Sequence, residues 1–264
     1  MAIYSLCTFG GSSCTRRARS RAFAAGLVAG LAVLGGGLCS TVSAETIILR
    51  SGQVGGVPGA VGQPDDIMTW GGALFGSGPL SASPFTAADF NNTVSSPAVV
   101  IQPHPSWVPS LPFDPQARWV GTRLFDASLP LGAASSTLYR VPFTVTTTGI
   151  TSAFITIAWA CDDGLGDLLY GGANPVGAYL RDGFGNVTAL TPVAGLGFGS
   201  QSLVTGYNIT GAITTGLNEL FLYQRDQGGA PSGTIFSAEI VVVPTPGALS
   251  VLGIGGLLAS RRRR

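Results

Sequence analysis

The chain has 264 residues, 45% of them hydrophobic and only 10% charged, with 39 glycines and 17 prolines, which is room for one good-sized domain plus processing segments. It has no lysine: all 14 basic residues are arginines, and eight of them crowd the two ends. Between residues 45 and 243, Arg50, Arg118, Arg123, Arg140, Arg181 and Arg225 face 13 acids, an excess of seven negative charges, and such a body, with no basic groove or basic-aromatic interleaving, excludes nucleic acid as a partner.

The chain opens as an export leader. "TRRARSR" (residues 15–21) supplies a positive region, "AFAAGLVAGLAVLGGGL" (22–38) an apolar core, and "VSA" (42–44) a small-residue cleavage site. This predicts a signal peptide over residues 1–44, cut between Ala44 and Glu45; a retained membrane anchor is the alternative. Arg16-Arg17 lacks the flanking pattern of a twin-arginine signal, and Cys39 follows Leu38 where a lipoprotein signal wants a small residue. General secretion is therefore expected. Three of the four cysteines fall in this leader, so the exported chain keeps Cys161 alone and forms no internal disulfide. In "ITIAWACDD" that cysteine ends an apolar run, as a buried small hydrophobe does.

Residues 45–243 read as an all-β body. Residues 51–92, dense in Gly, Pro and Ser, read as long loops. Short runs rich in β-branched and aromatic residues recur, among them "TIILR", "PAVVIQ", "ARWVGTRLF", "TLYRVPFTVTT", "SAFITIAWA", "VGAYLR", "NELFLYQR" and "TIFSAEIVVV". None has a sustained period near 3.6, and the glycine content disfavours long helices. Eight to ten strands in about 200 residues predict a β-sandwich or jelly roll.

Candidate chemistry is sparse. "CDDGLGD" gathers Asp162, Asp163 and Asp167 on a glycine-rich turn; carboxylates so placed suit calcium, and Asp with Gly equally suits any tight turn. Asp65-Asp66 is a weaker pair of the same kind. His104, the only histidine, lies between prolines in "QPHPSW", with no partner in the sequence. There is no Gly-x-Ser-x-Gly elbow, no zinc ligand set, and no pair of acids that stands out as a glycosidase couple. No catalytic residue is assigned and a non-enzymatic role is expected.

The chain closes on "VVVPTPGALSVLGIGGLLASRRRR". As a helix, the 14 or so residues from 247 to 260 rise about 21 Å, a marginal span against a hydrocarbon core of about 30 Å. The terminal arginines favour the cytoplasmic side, which leaves the body outside. Pro244 and Pro246 break continuation of the preceding strand. Pro244-Thr245-Pro246, the short apolar helix and Arg261, Arg262, Arg263 and Arg264 together resemble the PEP-CTERM protein-sorting tail of bacterial surface proteins. The resemblance covers residues 244–264 and departs from the family pattern at Thr245, where that pattern has glutamate. It implies a short membrane helix held in the inner membrane, processing by an exosortase-type membrane transpeptidase, and delivery to the cell surface or extracellular matrix; an ordinary tail anchor without cleavage is the alternative, because the span and the arginine cap are the same for both.

A second resemblance covers about half the chain. "ARWVG" (117–121), "ITIAWACDDGLGDLLYGG" (155–172), "VGAYLRDG" (176–183) and "TTGLNELFLYQRDQGGAPSGTIFSAEI" (214–240) are similar to core strands of galactose-binding-like jelly rolls, with Gly216, Asn218 and Leu220 in a Gly-x-Asn-x-Leu segment. It informs fold more than ligand. Three functions follow as expectations: a surface or matrix structural protein; a carbohydrate-binding module that contacts surface polysaccharide, with Trp107, Trp119, Tyr170 and Tyr179 as stacking platforms; and, last, a glycan-active enzyme.

Overall fold

Strand β8 (Ile150–Leu165) shows how this composition becomes a sheet. In its middle, residues alternate between two apolar surroundings: Ile157, Trp159 and Cys161, like Ile155 before them, point into the main core, while Ala158 and Ala160 point into a second cluster on the other face. A period of two with both faces covered is a strand inside a closed layer, not on an open one. The computed structural model describes residues 43–246, except 126, 127, 129, 130, 229 and 230. The expected signal peptide up to residue 42, the expected tail helix and Arg261–Arg264 lie outside the described residues.

The other strands are β1 (Glu45–Arg50), β2 (Gln53–Val54), β3 (Val57–Pro58), β4 (Pro64–Phe75), β5 (Ser96–Val100), β6 (Val120–Gly121), β7 (Ser135–Val145), β9 (Ala178–Arg181), β10 (Val187–Ala189), β11 (Gly195–Asn208), β12 (Gly216–Arg225) and β13 (Thr234–Pro244). Among the described residues helix is confined to α1 (Ala87–Asn91) and one 3₁₀ turn, Asn92–Val94. The all-β reading holds. Among the described residues all strand pairings are antiparallel, and β2 with β3 forms a separate small hairpin.

The expectation of a two-sheet sandwich is corrected in its topology. Strands β12, β7, β4, β5, β6, β13 and β8 pair in succession, and β8 returns to β12 through Leu165 opposite Gln224 and Gly164 opposite Arg225. Seven strands thus close a barrel, with β9 and β10 attached at β12, β11 at β8 and β1 at β13. Closure depends on a bend in β8. Up to Cys161 it pairs with β13, and from Gly164 it pairs with β12; on its other edge Cys161 faces Gly197 and Gly164 faces Leu196, so Asp162 and Asp163 have no opposite residues. That is a bulge, the device by which a strand turns a barrel corner. Asp163 has φ 61°, the one positive value at a non-glycine residue among those described, and aspartate is one of the few side chains that tolerates this region.

The second correction concerns residues 51–92. Instead of loops alone they hold β4, a member of the ring, and α1, whose Phe90 packs with Leu138, Phe221 and Tyr223 on the outside of the barrel. Burying that ring is worth about 2 kcal/mol. Residues 101–119 cover another flank, where Trp107 and Trp119 pack on Ala158, Ala160 and Ile235.

Candidate functional site

The sequence-predicted boundaries of the body meet at one rim. Strand β1 starts at Glu45, opposite Val242 of β13. The Glu45 carboxylate accepts hydrogen bonds from the Thr146 backbone N–H (3.0 Å), the Thr146 hydroxyl (2.9 Å) and the Thr147 N–H (2.8 Å). Burial would raise its pKa, but the bonds from Thr146 and Thr147 outweigh it and hold the group at about 2. Strand β13 ends at Pro244, paired across a bulge with Ile150. The Thr245 N–H donates to the Gly149 carbonyl at 2.7 Å, and the Thr151 hydroxyl reaches the carbonyls of Val243 (3.0 Å) and Pro244 (3.3 Å). Both ends of the body are therefore pinned to the turn between β7 and β8.

The β8 bulge opens into a cleft of about 260 Å³ lined by His104, Ser106, Trp107, Asp162, Asp163 and Phe198, with Gly228 and Pro231. Burial, and then the charges of Asp163 and Asp226, push the Asp162 carboxyl up to about 7. Asp163 accepts from the Gln227 N–H. Asp226, beneath them, accepts from the Ser135 N–H (2.8 Å) and the Gly228 N–H (2.6 Å), and burial raises its pKa too. A carboxyl that is half protonated near neutrality, beside a second carboxylate and His104, can exchange protons with a ligand at the cleft mouth. The sequence did not connect His104 with these acids, because 58 positions of chain separate it from Asp162; nor did it single out Asp226 in "YQRDQ".

Asp167 does not join that group. It is buried, accepts from the Tyr223 hydroxyl (2.8 Å) and the Asn174 N–H (3.1 Å), and stands 3.5 Å from Arg225 Nε. Asp162 and Asp163 also lie in strand β8 itself and not on a turn. Among the described residues no group of three His, Cys, Asp or Glu side chains is arranged to hold a metal ion. Asp65 is spent inside the fold on the N–H groups of Gly52, Ile67 and Met68, and Asp66 on that of Gly55. Cys161 is free and fully buried, and burial raises its thiol pKa well above the ordinary value. It is a core residue.

Of the proposed aromatic platforms, Trp107 and Trp119 are core. They are 6% and 1% exposed, stack with centroids 4.4 Å apart, and Trp119 Nε1 donates to the Val108 carbonyl at 2.7 Å. Tyr170 is half-buried beside the Arg225 guanidinium. Tyr179 lines a groove of about 390 Å³ with Phe85, Phe90, Pro84, Pro175 and Val187. The Asn218 side chain closes the turn before β12 by accepting from the Thr214 N–H and donating to the carbonyls of Thr214 and Gly216, which is a structural role.

Among the described residues no helix is long and apolar enough to cross a membrane. Compared with known protein families, curated proteins and solved structures, the chain matches none.

Proposed function

We propose that this chain is an exported structural protein of the cell surface or extracellular matrix, whose β-barrel body travels between two processing signals. The observation that carries the reading is the coincidence of boundaries. The first residue of β1 is Glu45, the residue after the proposed leader cut, and β13 ends at Pro244, the first residue of the proposed sorting motif. Folding physics and signal recognition are independent reasons for a boundary, so their agreement at both ends supports one body flanked by two removable segments. In this reading the tail helix holds the exported body at the inner membrane, Arg261, Arg262, Arg263 and Arg264 stay on the cytoplasmic side, and an exosortase-type enzyme acts on the tail near Pro244-Thr245-Pro246. Replacing the four arginines with neutral residues should abolish processing in the native cell and leave the body folded. Unchanged processing would count against the reading.

A second reading, binding of surface polysaccharide, is favoured by the groove at Tyr179. Phe85 and Tyr179 offer apolar ring surface to a sugar over the buried Phe90, between walls of Pro84 and Pro175. Polysaccharide pull-down that Tyr179→Ala abolishes would support it, and retention by that variant would remove it.

A further inference from the structure

The turn between β7 and β8 touches the proposed sorting motif itself. Pro244 is the last residue of the β13 ladder, and its neighbour Thr245 continues the contact through its N–H to the Gly149 carbonyl. Thr151 caps the carbonyls of Val243 and Pro244 from the side. Gly149 has φ 63°, and a Cβ added there would lie 2.5 Å from the Thr245 hydroxyl oxygen, so the Thr245 side chain sits directly over the turn. Pro246 is exposed and is the first residue past these bonds.

We infer that the β7–β8 turn withholds the first two residues of the tail, and that the cut releasing the tail falls at the Thr245–Pro246 bond or beyond it. The inference rests on reading the tail as a processing signal and adds where the cut lies and what sets it. A processing enzyme must take its substrate as a free extended strand, and a strand already bonded on one edge and capped on its carbonyls is not free until it frays. In the cut, the carbonyl carbon on the body side passes to water or to an amine of the acceptor. The nitrogen of the leaving tail, that of Pro246 for the first bond available, takes up the proton the nucleophile gives up. Thr245, the residue that departs from the sorting-motif pattern, thereby belongs to the body's edge, and Pro246 to the segment presented to the enzyme.

The test is limited proteolysis of the full chain in detergent with a broad-specificity protease, the products mapped by mass spectrometry, for the wild type, Thr151→Val and Gly149→Ala. Early wild-type products should all retain Thr245. Thr151→Val keeps the branched strand side chain and removes the cap, and should speed cleavage between residues 242 and 245 about fivefold, the effect of one hydrogen bond; Gly149→Ala should do the same by displacing Thr245. A thermal melt confirms that each variant is folded, and if Gly149→Ala is not, Thr151→Val decides. Early wild-type cuts between 242 and 245, or no acceleration in a folded Thr151→Val, would overturn the inference. In native cells, a processed end upstream of Thr245 overturns it while leaving the sorting reading intact, whereas an end at Arg264 overturns the sorting reading and this inference with it.

Discussion

Glu219→Gln should be among the most damaging single changes in the barrel that leave its volume unaltered. Glu219 lies on β12 and accepts from Arg140 Nε of β7 and Arg181 Nε of β9. Arg181 also donates to the Asn91 side chain of α1 at 2.6 Å and lies over the Phe221 ring at 5.1 Å. One carboxylate therefore ties three strands and the helix, and its side chain is 9% exposed against 18% and 15% for the two arginines. Removing the anion that two buried guanidinium groups share leaves uncompensated charge, which for a buried ion pair costs about 3–5 kcal/mol; residual solvent at the guanidinium groups puts this site near 3. For a domain of this size that is a fall in Tm of about 6–12 °C. Urea unfolding of the full chain, followed by tryptophan fluorescence, measures it. The apolar triple variant Arg140→Met, Glu219→Leu, Arg181→Met should lie within about 1.5 kcal/mol of wild type, because it removes all three charges together. Burial raises the Glu219 pKa, but the bonds from Arg181 and Arg140 outweigh it and leave it below its ordinary 4.5. A depressed carboxylate stabilises above its unfolded pKa, so the gap between wild type and Glu219→Gln should be constant above about pH 5 and shrink as pH falls through the folded value. A Glu219→Gln protein within about 0.5 kcal/mol of wild type at pH 7 would refute this account of the site.

Asp162→Asn should have the opposite sign: with the folded pKa raised from 3.8 to about 7, wild-type stability falls as pH rises through that window, so the variant gains about 1 kcal/mol at pH 8, discounted for solvent at the cleft mouth, and nothing near pH 3, read from melts across pH. Asp167→Asn leaves the Arg225 charge buried without its anion and should cost about 3 kcal/mol in the same urea assay, with Arg225→Met on that background restoring much of it. Gly71→Ala in β4 would bring its Cβ within 1.9 Å of the Asn92 carbonyl oxygen, forcing the 3₁₀ turn off the strand and lowering Tm by several degrees.

The strands that alternate were legible. In "SAFITIAWA" Ile155, Ile157 and Trp159 face the main core with Thr156 and Ala158 between them, although Phe154 on the other face is exposed, and in "TLYRVPFTVTT" Tyr139, Val141, Phe143 and Val145 face the same core. Strand β4 was not legible: "PDDIMTWGGALF" begins with proline and two acids and contains a glycine pair, yet Met68 is fully buried, Asp65 is satisfied by backbone N–H groups and Gly71 is required by the close passage of Asn92. Composition called it a loop because its polar and small residues answer to tertiary neighbours, not to the strand itself. "ARWVGTRLF" erred the other way. Only Val120 and Gly121 join the sheet, while Trp119 is drawn into the packing with Trp107. By sequence "CDDGLGD" reads as a turn with its aspartates in one group. The strand instead continues through a bulge, which keeps Asp162 and Asp163 at the cleft and carries Asp167 past it to Tyr223 and Arg225. A bulge is set by the register of partner strands far away in sequence, and no local pattern announces it.

The boundaries of the body are the claim on which the functional reading stands. Intact-mass and terminal-peptide mass spectrometry of the protein recovered from its native cells measures both at once. The account predicts a chain that begins at Glu45 and ends at Thr245 or shortly after it. A chain that still carries the leader, or that ends at Arg264, would contradict it.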